Sequence, residues 1–574
     1  MYKRQIQTIE NKYGLKIQVN QLFEVWPTIE GLGNHIAQQL PTSPPTDTPT
    51  PEISQKKPLI PETTASPVNH KTSPETALER IISQQLQVMS EQLALLQGKS
   101  LTASQPSPIP LTREMNGFSD GKTEETEKKT SPRKLTQAQN FTPQQQQHLD
   151  DLISRYSAKT PKSKARAASS RPILADSRAV AGFRPSIKEM LYPIVGERAQ
   201  GSHFWDIDGH KYLDITMGFG VLLFGHNAPV ITQAITAQLE KGLQIGPQSN
   251  LAAEVAHLIQ DLTGVQRVTF CNSGTEAVMT ALRLARTVTG KSKIALFTGA
   301  YHGHFDGVLA LAVSGTTEAV PMAAGIAENA VKDLLVLDYN NPDSLEILSR
   351  QTDELAAVLV EPVPSRNPNV QPKAFLQKLR ALTQTAQIPL IFDEVLLGFR
   401  IHPGGTQKWF EIEADIVTYG KIVGGGLPIG VVAGKGRYLD ALDGGEWNYG
   451  DNSYPSAEKT FFAGTFNKNH LGMAAARGVL QYLKQQGKTL QQQLNESTAR
   501  LADTLNHYFE IEQIPLEIVY FGSMAIWYPG VMQKFISLRT LFIMALVSSK
   551  GCVRMKQVRA QKFLGCKIIL DDYF

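Results

Sequence analysis

From about residue 171 onward, short apolar runs of strand length alternate with longer stretches whose apolar residues recur at helical spacing. The runs are 266–270, 293–297, 356–360, 389–392, 415–419 and 430–433. Strands that are apolar at consecutive positions are buried on both faces, and helix-length connections return each strand parallel to the last. The pattern predicts an α/β domain over 171–522, with a mostly parallel central sheet. In such sheets ligands sit at the carboxyl ends of the strands.

The flanks read differently. Residues 1–40 have helical apolar spacing in both halves. Residues 41–72 place Pro41, Pro44, Pro45, Pro49 and Pro51 among Ser and Thr, too little apolar surface to offset chain entropy, and read as a linker. Ser73 and Pro74 then open a helix over 73–98, with Ile82, Leu86, Met89, Leu93 and Leu96 spaced alternately by four and three. That short seam suits either a helix packing on a neighbour or a dimerising coiled coil. Residues 99–170 return to polar sequence and read as a second linker, in which only the glutamine-rich 144–156 is compatible with a helix. Beyond Phe521-Gly-Ser-Met524 the alternation of strands and helices is no longer legible, so 523–574 reads as an unmatched tail.

Composition narrows the partners. A length of 574 residues allows two to four domains. A net charge of +4, with 19% charged residues and no basic stripe, gives no case for nucleic acid. Cys271, Cys552 and Cys566 are too few and too far apart for a disulfide framework or a zinc site, and suit a reducing cytoplasm. No signal peptide opens the sequence and no run reaches the roughly 18 apolar residues of a spanning helix, so no membrane role is expected.

The candidate chemistry lies where strands end. In Phe270-Cys-Asn-Ser-Gly-Thr-Glu276, Ser273 or Thr275 caps a helix whose small first residues and dipole suit an anion such as a phosphate, or an ordinary helix start. Tyr301, in Gly299-Ala-Tyr-His-Gly-His304, is a ring able to stack on a planar cofactor. His302 and His304 have no carboxylate cluster beside them, and no metal is expected. Asp393 ends an apolar run, where a carboxylate is costly unless paired; a protonated pyridine nitrogen is one partner, and capping the next segment is the other reading. Lys421 follows the run 415–419 across Gly420 and precedes three glycines that let backbone approach a ligand. Together a lysine, a buried aspartate and a phosphate-type helix start are the parts that hold pyridoxal phosphate (PLP): the lysine as a Schiff base, the aspartate on the ring nitrogen, the helix end on the phosphate.

These segments resemble the class III aminotransferases of fold type I, and among them the glutamate-1-semialdehyde aminomutases. Trp205-Asp-Ile-Asp-Gly-His-Lys-Tyr-Leu-Asp214, Phe224-Gly-His-Asn-Ala-Pro229, the Asn272 helix start, Tyr301-His-Gly, Asp393-Glu, the Lys421 loop and Gly464-Thr-Phe466 occur in the family's order. The resemblance implies that Gly274 and Thr275, with Ser273, hold the phosphate, that Tyr301 stacks on the ring with His302 beside it, that Val395 packs beneath it, that Asp393 pairs its nitrogen, and that Lys421 is the Schiff-base lysine. It implies a homodimer in which Thr465 reaches the partner's phosphate. Candidate substrate contacts are Phe219, Glu361 and Arg366; Ser365-Arg366 stands where many relatives carry a Gly-Asn pair, and Arg366 suits a donor carboxylate or plain solvent.

Residues 1–40 resemble the last two helices of a phosphopantetheine carrier domain. A carrier remnant, a linker and this aminotransferase resemble one stretch of the hybrid polyketide–nonribosomal peptide synthetases of the microcystin and nodularin type. That implies transfer of an amino group from an amino-acid donor to a carrier-bound β-keto thioester. Two alternatives stand beside it: a free-substrate class III transaminase or aminomutase, and a non-catalytic truncated fragment, motivated by the sequence after Met524.

Overall fold

The computed structural model describes residues 141–180, 183–243, 248–313, 316, 318–514, 516–529 and 567–569. The carrier-like segment, the first linker, the heptad helix and most of the tail lie outside them.

The described chain opens with two helices, Pro143–Lys159 and Pro161–Ser170. This corrects the expectation of a linker running to 170. Thr142 accepts from the Gln145 amide and Gln145 returns the bond, a capping box that fixes the first helix start. Leu149, Leu152 and Tyr156 then bury one narrow face against Ile187, Met190, Leu191 and Tyr192. The second helix starts on a remote carboxylate: Asp208 accepts from the Lys162 amide (2.8 Å), the Ser163 amide (3.0 Å) and the Ser163 hydroxyl (2.9 Å). The first helix contains the glutamine-rich 144–156, where the sequence allows one; the second has no apolar face from which it could be read.

Three strands follow as an antiparallel meander: β1 (Gly196–Gln200), β2 (His203–Asp206) and β3 (Lys211–Leu213). The centre of the molecule is a seven-stranded sheet. Its strands are β4 (Arg267–Cys271), β5 (Lys293–Phe297), β8 (Leu334–Leu337), β9 (Leu355–Val360), β10 (Leu390–Asp393), β11 (Ile416–Gly420) and β12 (Gly430–Gly434). A small hairpin of β6 (Ala310–Ala312) and β7 (Ala319–Pro321) lies between β5 and β8 in sequence. The sheet order is β4-β12-β11-β10-β9-β5-β8. Only β12 runs against the rest. The reason is length: residues 421–429 join β11 to β12, fewer than the dozen or so that a parallel crossover needs. Two large apolar clusters cover the sheet, one containing Val358, Val360, Phe392 and Val417, the other Leu359, Ile391, Ile416 and Val432. Adjacent residues of one strand thus fall in opposite clusters, as burial on both faces requires.

After the sheet come the helices His470–Gln486 and Thr489–Ile511, then β13 (Leu516–Phe521) and β14 (Met524–Pro529). β14 pairs with β13 along its whole length, from Phe521↔Met524 to Leu516↔Pro529. The boundary expected at 522 therefore falls inside a hairpin turn. The three residues of β15 (Lys567–Ile569) pair with β14 in parallel. Among the described residues, no helix is long and apolar enough to cross a membrane.

Candidate active site

Register across the sheet assembles the site. Gly420 of β11, Gly430 of β12 and Cys271 of β4 are aligned neighbours, so the segments that follow β11 and β4 leave the same sheet edge side by side. Those segments carry Lys421 and the helix Gly274–Thr289. A side chain on Gly430 would collide with the Ser273 carbonyl, so glycine is what lets the helix start approach β12. On the other side Asp393 of β10 is aligned with Thr418 of β11, and the Thr418 hydroxyl donates to Asp393 Oδ1 at 3.2 Å.

A cavity of about 410 Å³ opens at this edge. Its walls include Ser273, Gly274, Thr275, Tyr301, His302, Glu361, Asp393, Val395 and Lys421. Asn272, Val221, Val278, Gly303, Ser365, Leu396 and residues 426–429 complete it. Ser273 caps its helix by accepting from the Glu276 amide (3.2 Å). Gly274 stands so close to Val395 that an added Cβ would come within 2.7 Å of it. The helix's first amides have no intrahelical acceptor, which makes its start an anion site.

Asp393 is buried and held from three sides: His302 Nδ1 at 2.8 Å from Oδ2, the Val395 amide at 3.1 Å and the Thr418 hydroxyl on Oδ1. It caps the next segment through Val395, and the same carboxylate lies on the cavity wall. Glu361 lies buried nearby; burial pushes its carboxyl up and the Asp393 charge adds to that. Burial pulls the Lys421 amine below the ordinary lysine value, against the pull of Asp393 and Glu361, and Arg400 adds to the lowering. Two buried polar atoms on the cavity wall, Asn272 Oδ1 and His302 Nε2, have no hydrogen-bond partner. A cavity of this size, with a helix start, an oriented carboxylate, a buried amine and unpartnered polar atoms, fits pyridoxal phosphate.

Three predicted residues are not on the cavity wall. Phe219 is exposed, its ring lying under the Arg178 guanidinium at 4.6 Å, two residues before the wall residue Val221. Arg366 places its guanidinium 5.6 Å from the Tyr301 ring centroid. Thr465 is exposed in the segment whose Asn467 accepts from Asn272 Nδ2 at 2.9 Å. Sequence reasoning gave Asn272 only as the start of a helix and did not single out Val221 or Leu396, which lie within two residues of Phe219 and Val395. His304, weighed for metal, sits 3.2 Å from the Thr275 hydroxyl.

Residues 185–531 match the family Aminotransferase class-III, more than half of the chain and past the expected end at 522. Glutamate-1-semialdehyde 2,1-aminomutase from Chloroflexus aggregans is 39% identical over 336 residues, spanning 58% of this chain and 74% of the relative. An omega-transaminase from Sphaerobacter thermophilus superimposes with a TM-score of 0.57 at 29% identity, covering 65% of this chain and 83% of that one. A transaminase solved with PLP bound gives 0.56 at 29% identity, over 63% and 82%. With the sheet, the buried lysine and the oriented aspartate in the family's order, the chain belongs to the class III aminotransferases, PLP-dependent enzymes of fold type I.

Proposed function

We propose that this chain moves an amino group between an amino-acid donor and a small free oxo acceptor, or within one substrate as an aminomutase does. The observation that carries the reading is Lys421 and the buried Asp393 on the wall of one cavity with the start of the helix Gly274–Thr289. Bound PLP supplies a sink for the electron pair left when the donor's α-proton leaves. The residues supply the rest. The helix start, with the Ser273 and Thr275 hydroxyls, would hold the phosphate. Tyr301 and Val395 would bracket the ring. Asp393, fixed by His302, would keep the ring nitrogen protonated. Lys421 would hold the cofactor through its aldehyde carbon; once the donor's amine takes its place there, the freed amine, favoured neutral by burial, would accept the donor's α-proton and, in the second half of the transfer, give a proton to the acceptor carbon.

The free-substrate reading is favoured by the aminomutase relative, of which this chain covers 74%. Transfer to a carrier-bound β-keto thioester is the second reading; it is motivated by the carrier-like pattern of residues 1–40. The test starts with PLP added to the purified chain and borohydride reduction, which should fix the cofactor on the peptide containing Lys421. Amino donors should then bleach the visible absorption, and acceptors be compared: glutamate 1-semialdehyde and free oxo acids against a β-ketoacyl N-acetylcysteamine thioester. Turnover only with the thioester would move the assignment to the second reading. No cofactor on Lys421 would leave the non-catalytic fragment.

A further inference from the structure

Arg400 is fully buried, the largest such side chain among the described residues. Its Nε donates to the Leu396 carbonyl at 3.1 Å and its Nη2 donates to the Gly220 carbonyl, 180 residues away in sequence. Leu396 is itself on the cavity wall, and Gly220 directly precedes the wall residue Val221. One guanidinium thus ties together the backbone of two walls.

The turn it holds needs holding. Met217, Gly218, Phe219 and Gly220 all have positive φ, at 47°, 63°, 56° and 82°, a run that two non-glycine residues do not adopt unaided. At its front Asp214 accepts from the Thr216 and Met217 amides, both at 2.8 Å, and Asp214 is in turn held by His226 at 2.7 Å. Arg400 secures its end.

The backbone of Arg400 is gripped from elsewhere. Three consecutive carbonyls accept side-chain donors of the C-terminal elements: Phe399 from Gln491 (3.1 Å), Arg400 from the Ser523 hydroxyl (3.5 Å) and Ile401 from Asn495 (3.0 Å). Gln491 and Asn495 belong to the helix Thr489–Ile511, and Ser523 to the β13–β14 turn. Gly522, at φ 56°, is packed so closely on Ile401 that no side chain would fit.

We propose that Arg400 is a positioning residue that fixes the 217–221 turn as a cavity wall and makes that wall depend on the docking of the C-terminal helix and hairpin. The proposal deepens the aminotransferase reading, and its consequence for substrate rests on it: the donor-binding shape of the cavity is set in part from the C-terminal elements. The same cation is one of the charged groups around Lys421, with Asp393 and Glu361, and the buried charge disfavours a second cation on the amine.

The test uses the full chain without PLP, so that it stands whether or not the aminotransferase reading does. Hydrogen exchange is followed at the amides of 216–222, and acylation of Lys421 by acetic anhydride is followed against pH. In Arg400→Met, exchange at 216–222 should rise at least about tenfold over exchange at the central strands, a local opening rather than a global one. The Lys421 labelling midpoint should move up toward ordinary lysine. Arg400→Lys keeps the charge and should leave the midpoint near that of the unaltered protein while loosening the turn. Asn495→Ala, distant from the cavity, should loosen the same amides to a smaller degree. With PLP and donor present, Arg400→Lys should raise KM more than it lowers kcat. Exchange at 216–222 equal to that of the unaltered chain, or raised equally everywhere, would overturn the proposal. If Arg400→Met does not fold, unchanged turn exchange in both Arg400→Lys and Asn495→Ala would overturn it as well.

Discussion

Lys421 leaves β11 with φ at 40°, left-handed for a residue that carries a side chain. Such a conformation costs about 1–2 kcal/mol, and it persists where surrounding structure over-determines it. Here the paired strands β11 and β12 and the close approach of Gly420 to Val395 set the chain's direction. The amine then sits buried, and its lowered proton affinity has a sign for stability. The unfolded chain binds more protons than the folded one between the folded value and 10.5, so stability rises with pH through that window. Lys421→Met should therefore raise the Tm of the cofactor-free protein at neutral pH, with the gain shrinking as pH approaches 10.5; a scanning-calorimetry pH series checks it. Lys421→Ala should abolish amino transfer while some PLP still binds, because the helix start and Asp393 remain; equilibrium dialysis and turnover assays separate the two effects. Asp393→Asn should lower the rate of the donor half-reaction by roughly 10²-fold or more, the scale of one lost preorganised electrostatic contact, with a smaller loss of PLP. An unchanged half-reaction rate would remove Asp393 from this role.

At the scale of elements, the close approach of the helix Gly274–Thr289 to β12 shapes the end of the cavity where we propose the phosphate sits. Gly430→Ala would push the Ser273 carbonyl away, and overpacking of this kind costs about 1–3 kcal/mol. PLP affinity should drop with it, measurable by fluorescence titration, while β10 and Asp393 stay in place. The helix pair over 143–170 makes a separate demand. Leu152 is buried against the 187–192 segment, and Leu152→Ala should destabilise that contact by about 2–4 kcal/mol, the range for a buried leucine truncation. Because the pair lies on its own small cluster, limited proteolysis should show release of residues 141–170 with the PLP site retained. Coincident loss of both would show that the pair is integral to the sheet domain.

For the whole molecule, the family pattern sends Thr465 to the cofactor phosphate of a second copy, and we propose that this chain does the same. The segment around it exposes Phe461 and Phe466 beside Thr465. If the site is shared, dilution should release PLP, and PLP should tighten the dimer by the same free energy, since linkage is reciprocal. Sedimentation of loaded and cofactor-free protein across a concentration series measures both. A monomer keeping stoichiometric PLP throughout would rule the shared site out.

The sequence by itself determined the parallel sheet, because strands buried on both faces must be apolar at consecutive positions, as in 356–360 and 389–392. It also marked residues that the fold brings onto one cavity wall, because a glycine-rich turn, a helix cap and an aspartate after apolar runs are local signals. One strand, Leu334–Leu337, carried the same signal in only four residues and was overlooked. The helix Pro161–Ser170 was hidden because it has no apolar face, and its start is held by Asp208, more than forty residues away. Only the tertiary structure decided that His302 holds Asp393, a contact across 91 residues, and that Arg400 holds Gly220 across 180. No local pattern encodes such pairs. A hydrogen bond between distant segments depends on register and on packing, and those arise when the whole sheet and the elements around it come together.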